Sequence, residues 1–231
     1  MQIPHSSIAE IMGQSGYDWV AIDLEHGAIG VHQLPDLFRA LELGGTLPLV
    51  RLAHGRPKDC KQALDAGAGG VIVPMVENSK QLKMVRDACR YPPSGKRGVA
   101  FSRANLFGKN FSSYADNEAQ QPLLIAMIEN MEAVNNLESI LQVKGVDAVL
   151  IGPYDLSASM GCMAQFEKSQ FKDTIDYIYN LSTKYSVACG LHIVKPEKEV
   201  LQRRISHGYK FIAYSVDSVF MTQSFENPEN F

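Results

Sequence analysis

The chain has 231 residues, of which 45% are hydrophobic and 20% charged, and its formal net charge is −3. This length suits one large α/β domain or two small ones, and the hydrophobic fraction excludes a disordered chain. No run of like charges indicates a nucleic acid or an anionic membrane as a partner.

Apolar runs of strand length alternate with segments of helical periodicity along the chain. The first residues, MQI, precede a predicted helix in SSIAEIMGQSG, and strands are predicted at 18–26, 46–52, 69–76, 123–129, 147–152, 187–193 and 210–216. Helices are predicted at 31–45, 56–68, 78–91, 131–143, 165–185 and 195–208, and a short tail follows. The segment 91–111 interrupts this alternation as a long loop, which is typical of a functional or mobile element.

The predicted strands are largely apolar on both faces, as in a buried parallel sheet. Seven strands alternating with helices, with MQI as the stub of an eighth, indicate an α/β fold: a (β/α)8 barrel formed by one domain over residues 1–231. A doubly wound open sheet is the alternative. In a barrel the loops that follow the strands converge on one pocket, so we expect reactive groups at the carboxyl ends of the strands.

Two acidic residues follow predicted strands that are neighbours in the sequence. Glu129 ends one strand, and Asp155 follows the next after a Gly-Pro turn. Carboxylates brought close together repel, and a divalent cation removes that repulsion. Oxygen ligands that leave positions for water and substrate favour Mg²⁺ or Mn²⁺, with Co²⁺ as a possible substitute. Alternatively, Asp155 only caps the turn DLSASMG and Glu129 only begins the next helix.

Arg51 and His26 also stand at predicted strand ends. A guanidinium there is costly to bury without an anion, and it suits the carboxylate of a small substrate; the alternative is an ion pair with Glu25 or Asp65. His26 follows two acidic residues in DLEHG, which favours a general base oriented by a carboxylate, although an ordinary surface histidine also fits. His192 is predicted to pack inside the barrel mouth.

The cysteines and the amino-terminal segment bear on the cellular compartment. Cys60, Cys89, Cys162 and Cys189 are widely spaced and form no C-x-x-C pair, which indicates free thiols in a reducing compartment. The segment MQIPHSSIAEIMG lacks the features of a secretory signal, and no apolar run is long enough to span a membrane. We therefore expect a cytoplasmic protein.

The motifs and their order resemble the HpcH/HpaI aldolase family of class II, metal-dependent pyruvate aldolases. These motifs are DWVAIDLEHG, PLVRL, ALDAGAGGVIVPMV, YPPSGKRGVAFSRA, the Glu of AMIEN and IGPYDLSASMG. The resemblance covers nearly the whole chain. It implies a TIM barrel of the phosphoenolpyruvate/pyruvate superfamily and an aldehyde-lyase that cleaves or forms 2-oxo-4-hydroxy acids, with pyruvate and an aldehyde as products. It also implies a homo-oligomer, either a hexamer or a trimer of dimers.

The resemblance further implies a metal and substrate site. Glu129 and Asp155 are expected to bind the divalent metal. Gly152 and the backbone N–H groups of Tyr154 and Asp155 are expected to bind the carboxylate of the 2-oxo acid.

The same resemblance implies the catalytic residues. Arg51 is expected to hold the substrate and stabilise the enolate oxygen. His26 is expected to act in the acid–base step, with Asp23 and Asp65 supporting it. No Schiff-base lysine is required.

The chain departs from the family pattern at three places. Met127 replaces a usual Gln two residues before the metal-binding Glu, and Tyr154 replaces a usual Ala. Only MQI stands in the place of the first strand, so either the first barrel strand is truncated to this stub or the natural start lies upstream of Met1. These departures leave open a non-catalytic barrel paralogue.

A second alternative is an acyl-CoA lyase of the citrate-lyase β type. Such an enzyme needs a basic surface for the CoA phosphates. The loop 95–109 carries four cations that could form one, namely Lys96, Arg97, Arg103 and Lys109.

Overall fold

The computed structural model describes residues 1–225, and residues 226–231 lie outside the described part. Seven strands form one parallel sheet in sequential order. They are β1 (Trp19–Asp23), β2 (Leu47–Arg51), β3 (Gly70–Val73), β4 (Leu123–Ile128), β5 (Ala148–Ile151), β6 (Ala188–Ile193) and β7 (Phe211–Tyr214). Each lies within a predicted strand range, so the predicted alternation is confirmed.

Helices cover the outside of the sheet. They are α1 (Ser6–Gly13), α2 (Leu34–Glu42), α3 (Pro57–Asp65), α4 (Ser79–Cys89), α5 (Phe111–Asp116), α6 (Met131–Asn135), α7 (Leu137–Leu141), α8 (Pro153–Ser159), α9 (Ser169–Lys184), α10 (Lys198–His207) and α11 (Asp217–Ser224). The helix predicted at 131–143 is divided at Asn136, whose side chain donates to the Glu77 carbonyl. Helix α5 begins at the last residue of the predicted loop 91–111, and α8 and α11 occupy segments predicted as turn and tail. No helix within residues 1–225 has the length and apolarity needed to cross a membrane.

The sheet curls into a barrel. Side chains facing inward from β2, β3, β4 and β5 form a small apolar cluster, and the outward faces of the strands join the helices in a larger one. Trp19 at the start of β1 stacks on Phe211 at the start of β7, with ring centroids 4.4 Å apart, so the first and last strands approach each other. The sequential strand order has no reversal, which excludes the doubly wound alternative.

The barrel wall is incomplete between β1 and β7. Met1 occupies the upper part of this gap: its backbone N donates to the Ala21 carbonyl at 2.7 Å, and its carbonyl accepts from the Asp23 N–H at 3.0 Å. This is the bonding pattern of a parallel strand. Met1 therefore joins the sheet beside β1 as a one-residue stub. Below Met1 a cavity of about 540 Å³ runs between β1 and β7.

Helix α11 holds the amino-terminal stub in place. The backbone N–H groups of Gln2 and Ile3 donate to the Asp217 carboxylate at 2.7 and 2.8 Å. The Gln2 side chain also donates to Asp23 at 2.9 Å. The buried Asp217 therefore ties the stub to the last described helix, and the Gln2 side chain ties it to the end of β1.

Candidate active site at the carboxyl ends of the strands

Charged side chains collect where β1, β2, β4 and β5 end. Asp23, Glu25 and His26 follow or end β1, and Arg51 ends β2. Glu129 follows β4, and Asp155 lies in the first turn of α8, after β5. The parallel sheet brings these residues to one rim of the barrel, as the sequence predicted.

Glu129 is a buried carboxylate, 3% exposed. Its Oε1 accepts from the Met75 backbone N–H at 2.5 Å, and no hydrogen bond within residues 1–225 uses Oε2. Burial, together with the charges of Glu25 and Asp155, raises its pKa to about 7, although the Met75 N–H and Arg51 act in the opposite direction. Asn130, not Glu129, caps α6 by accepting from the Ala133 N–H. The interpretation of Glu129 as a mere helix start is therefore wrong.

Asp155 is exposed and makes no capping bond. The backbone of Gly152 is the N-cap of α8, and no side chain caps this helix, so the interpretation of Asp155 as a cap is also wrong. A Cβ on Gly152 would lie 3.0 Å from Glu129 Oε2, so glycine keeps space open beside that oxygen. The Tyr154 ring packs edge-on against Phe166 at 5.1 Å, and no hydrogen bond within residues 1–225 uses the N–H groups of Tyr154 and Asp155.

The rim fits a hard divalent cation. Across residues 1–225 no group of three or more His, Cys, Asp or Glu side chains has the geometry to bind a metal. The charge of Asp155 contributes to the raised pKa of Glu129, so the two carboxylates act on each other electrostatically. The unused Glu129 Oε2 and the carboxylate donors are compatible with a hard divalent cation, because zinc prefers nitrogen and sulfur ligands.

Arg51 makes its two-pronged contact with Asp23. Nε donates to Oδ1 at 2.8 Å and Nη2 to Oδ2 at 2.5 Å. Burial alone would raise the pKa of Asp23, but the hydrogen bonds and charge of Arg51 outweigh it and lower that pKa to about 2. Arg51 Nη1 also lies 3.2 Å from Glu25 Oε2. The ion pair expected with Glu25 is present, whereas Arg51 has no ion pair with Asp65 within residues 1–225.

His26 stands at the edge of the rim. Its side chain is 57% exposed, and Nε2 lies 3.7 Å from Glu25 Oε2. Its backbone N–H donates to Asp23 Oδ1 at 3.2 Å, so Asp23 supports the loop rather than the imidazole. Asp65 lies at the end of α3, 3.9 Å from Arg97 Nε, and has no contact with His26 among the hydrogen bonds and ion pairs of the described residues.

Glu25 is the site residue that sequence reasoning overlooked. The sequence predicts it only as a possible partner of Arg51 and as one of the two acidic residues before His26. The signal that could have identified it is its position between Asp23 and His26 in the loop after β1.

The cavity inside the barrel reaches the rim from below. It is lined by Met127, Leu150 and His192 and extends to Asp23 and Arg51, but Glu129 and Asp155 do not line it. Burial lowers the pKa of His192 to about 4, with the nearby charge of Arg51 acting in the same direction and a hydrogen bond to the Ser215 backbone opposing it. A neutral imidazole inside the barrel mouth matches the prediction for His192.

Two of the four cations in loop 95–109 are engaged inside the chain. Arg97 is buried and donates to the Cys89 carbonyl at 3.0 Å and to the Tyr114 hydroxyl at 2.6 Å. Arg103 donates to the Ala66 carbonyl at 3.0 Å and pairs with Glu42. The basic surface expected for an acyl-CoA substrate is therefore reduced.

A sequence model of the HpcH/HpaI aldolase/citrate lyase family matches residues 2–224. The chain belongs to this family. A solved structure of an HpcH/HpaI aldolase/citrate lyase family protein from Burkholderia cenocepacia superposes with a TM-score of 0.90 at 27% identity, covering 97% of this chain and 89% of that one.

Two aldolases are similar to this HpcH/HpaI family member. A hydroxypyruvate/pyruvate aldolase from Roseobacter denitrificans is 37% identical over 94% of this chain and 84% of the relative. A 2-keto-3-deoxy-L-rhamnonate aldolase from Salmonella gallinarum is 34% identical over 96% of this chain and 83% of the relative. Membership and relatives together identify the chain as an aldolase-type carbon–carbon lyase.

Proposed function

We propose that this aldolase depends on a divalent metal and cleaves or forms 2-oxo-4-hydroxy acids, with pyruvate and an aldehyde as the cleavage products. The observation that carries the proposal is the open Glu129–Asp155 pair at the barrel rim, with the Arg51 guanidinium nearby. The names of the relatives, which include a hydroxypyruvate/pyruvate aldolase, support a short 2-oxo acid as substrate.

Glu129 and Asp155 would hold the cation, with Mg²⁺ or Mn²⁺ preferred and Co²⁺ as a possible substitute. The bound cation supplies a Lewis acid for the keto oxygen and stabilises the enolate charge. The free N–H groups of Tyr154 and Asp155, beside the open space at Gly152, would bind the substrate carboxylate.

The other rim residues would move the proton and bind the charge. In cleavage, an imidazole nitrogen of His26 takes the proton of the C4 hydroxyl, the C3–C4 bond breaks, and the bonding electrons remain on the enolate of pyruvate. Arg51, held by Asp23, stabilises the enolate oxygen. The support of His26 by Asp65 remains a prediction, because no hydrogen bond or ion pair joins the two residues within residues 1–225.

We also propose a homo-oligomer, either a hexamer or a trimer of dimers, in the cytoplasm, with no nucleic-acid or membrane partner. The four cysteines, which are free and buried, support a reducing compartment.

A coupled assay tests the proposed reaction. Pyruvate release from a panel of 2-oxo-4-hydroxy acids, followed with lactate dehydrogenase, is expected with Mg²⁺ or Mn²⁺ and should stop on addition of EDTA. Glu129→Gln should lower the rate by at least about 100-fold, because it removes a ligand oxygen charge. Absence of metal-dependent turnover on every acid would overturn the proposal.

Two further measurements separate the alternatives. Metal binding without exchange of the pyruvate methyl protons in D₂O would support a non-catalytic paralogue. Tight binding of a CoA thioester in calorimetry would support an acyl-CoA lyase.

A further inference from the structure

His192 faces the inside of the barrel at the carboxyl end of β6. Alternate residues of a strand point to the same side, and Ala188, four residues earlier, packs against the apolar cluster inside the sheet. The His192 side chain therefore points inward as well, and it lines the cavity that reaches Asp23 and Arg51. It is half-buried, so part of the imidazole is open to this cavity.

The sheet register places His192 level with Gly152 and Glu129. The residues immediately before these three belong to one row of pairs across β4, β5 and β6. Gly152 therefore stands between the two side chains, and neighbouring strands lie about 4.8 Å apart. Because Gly152 has no side chain, the interval between His192 and Glu129 stays open. Met127 and Leu150, two residues earlier in their strands, form an apolar floor beneath it.

The His192 imidazole presents a hydrogen-bond acceptor to the cavity. One of its nitrogens hydrogen-bonds the Ser215 backbone. The Ser215 N–H already donates to the Ile193 carbonyl at 2.7 Å, so the imidazole donates to the Ser215 carbonyl. Because burial lowers the pKa of His192 to about 4, the ring is neutral at neutral pH and its second nitrogen is an acceptor. The Ser215 hydroxyl is engaged by the Val194 carbonyl.

The proposed reaction directs one part of the substrate to this acceptor. In that reaction Arg51 binds the keto oxygen, and the N–H groups of Tyr154 and Asp155 bind the carboxylate. His26, at the exposed edge of the rim, takes the proton of the C4 hydroxyl. C3 lies between these anchors, so its remaining substituent is directed toward the barrel interior, where His192 presents its free nitrogen.

Resting on the proposed function, we propose that His192 is a specificity-determining residue: its free nitrogen accepts a hydrogen bond from a hydroxyl group on C3 of the 2-oxo acid. The preferred substrates then carry hydroxyl groups at both C3 and C4. Cleavage of the C3–C4 bond, with the same proton transfer to His26, leaves the bonding electrons on the enolate of hydroxypyruvate. An analogue without the C3 hydroxyl leaves the imidazole unpaired and is disfavoured.

His192→Leu tests this role in the full-length enzyme, because leucine fills a similar volume without an acceptor. One measurement is kcat/KM for the addition of hydroxypyruvate and of pyruvate to one aldehyde with Mn²⁺. The other is the dissociation constant of each acid, by calorimetry without the aldehyde. In His192→Leu the preference for hydroxypyruvate should fall about 10-fold in both measurements, with the pyruvate values nearly unchanged. His192→Gln, whose amide oxygen is an acceptor, should restore part of the preference.

His32→Leu is the matched control, because His32 is exposed, does not line the cavity and should keep the wild-type preference. Oxalate has no C3 and should bind wild type and His192→Leu equally. An unchanged preference in His192→Leu would overturn the role of His192, and so would an equal fall in His32→Leu or an equal loss of oxalate affinity. Absence of both turnover and oxalate binding in the wild type would instead overturn the proposed metal-dependent function.

Discussion

At the residue scale, the rim carries negative charge that the cationic side chains of the chain neutralise only in part. Arg51 is committed to Asp23 by two hydrogen bonds, and the charges of Glu25 and Asp155 add to the effect of burial on the pKa of Glu129. Such clusters of perturbed carboxylates are typical of functional sites. The cost is visible in Glu129, whose pKa lies near 7 rather than at 4.5.

Glu129 should make stability depend on pH when the cation is removed. Its pKa of about 7 in the folded state lies above the ordinary value of 4.5, so the folded state binds this proton more tightly. This proton contributes at most about 3 kcal/mol to the free energy of unfolding. The contribution is fully present below about pH 4.5 and is lost as the pH rises through 7.

In EDTA, the free energy of unfolding should therefore fall less between pH 5 and pH 8 in Glu129→Gln than in the wild type. Parallel curves for the two proteins would contradict the assignment. Glu132→Gln, in the exposed first turn of α6, serves as the control.

At the element scale, the strands were predictable because they are apolar on both faces. Six helices were predictable because their apolar residues recur with helical spacing, namely α1, α2, α3, α4, α9 and α10. Helix α8 was missed because Gly152 and Pro153 indicate a turn, although proline is also favoured in the first turn of a helix. Helix α11 was missed because Val219, Phe220 and Met221 are consecutive and mark no single face.

Strand β7 should be the least protected strand of the sheet. All four of its residues are half-buried, whereas all four residues of β5 are buried, and β7 pairs with β6 alone among the described residues. Hydrogen exchange followed by mass spectrometry should show β7 amides exchanging at least about 10-fold faster than those of β5, because local opening is easier at an uncovered edge. Equal protection would show that this edge is covered in solution.

At the scale of the whole molecule, a few contacts span part of the gap between β1 and β7, where the barrel wall is incomplete. In the upper part Met1 pairs with β1, and Gln2 and Ile3 bind Asp217 of α11; in the lower part the stacked rings of Trp19 and Phe211 join β1 to β7. The cavity between these two contacts is bounded by side chains and not by a strand. The position of Asp23, and through it of Arg51, depends on this closure.

Trp19→Ala should destabilise the barrel by about 2 kcal/mol, through lost apolar burial and lost ring stacking. Trp19→Phe keeps an aromatic ring opposite Phe211 and should lose less. The free energy of unfolding, from urea titrations followed by circular dichroism, measures both variants. A Trp19→Ala protein as stable as wild type would show that the stacked pair does not hold the gap.

The sequence by itself determined the strand order, the barrel and the placement of Asp23, Arg51, Glu129 and Asp155 at one rim. These follow from local apolar periodicity and from the rule that the carboxyl ends of parallel strands meet. Only the tertiary structure decided which side chains share contacts there: Arg51 pairs with Asp23, Glu25 approaches His26, and Asp65 lies beside Arg97. Such pairings depend on distances between residues far apart in the chain and on burial, which no local pattern encodes.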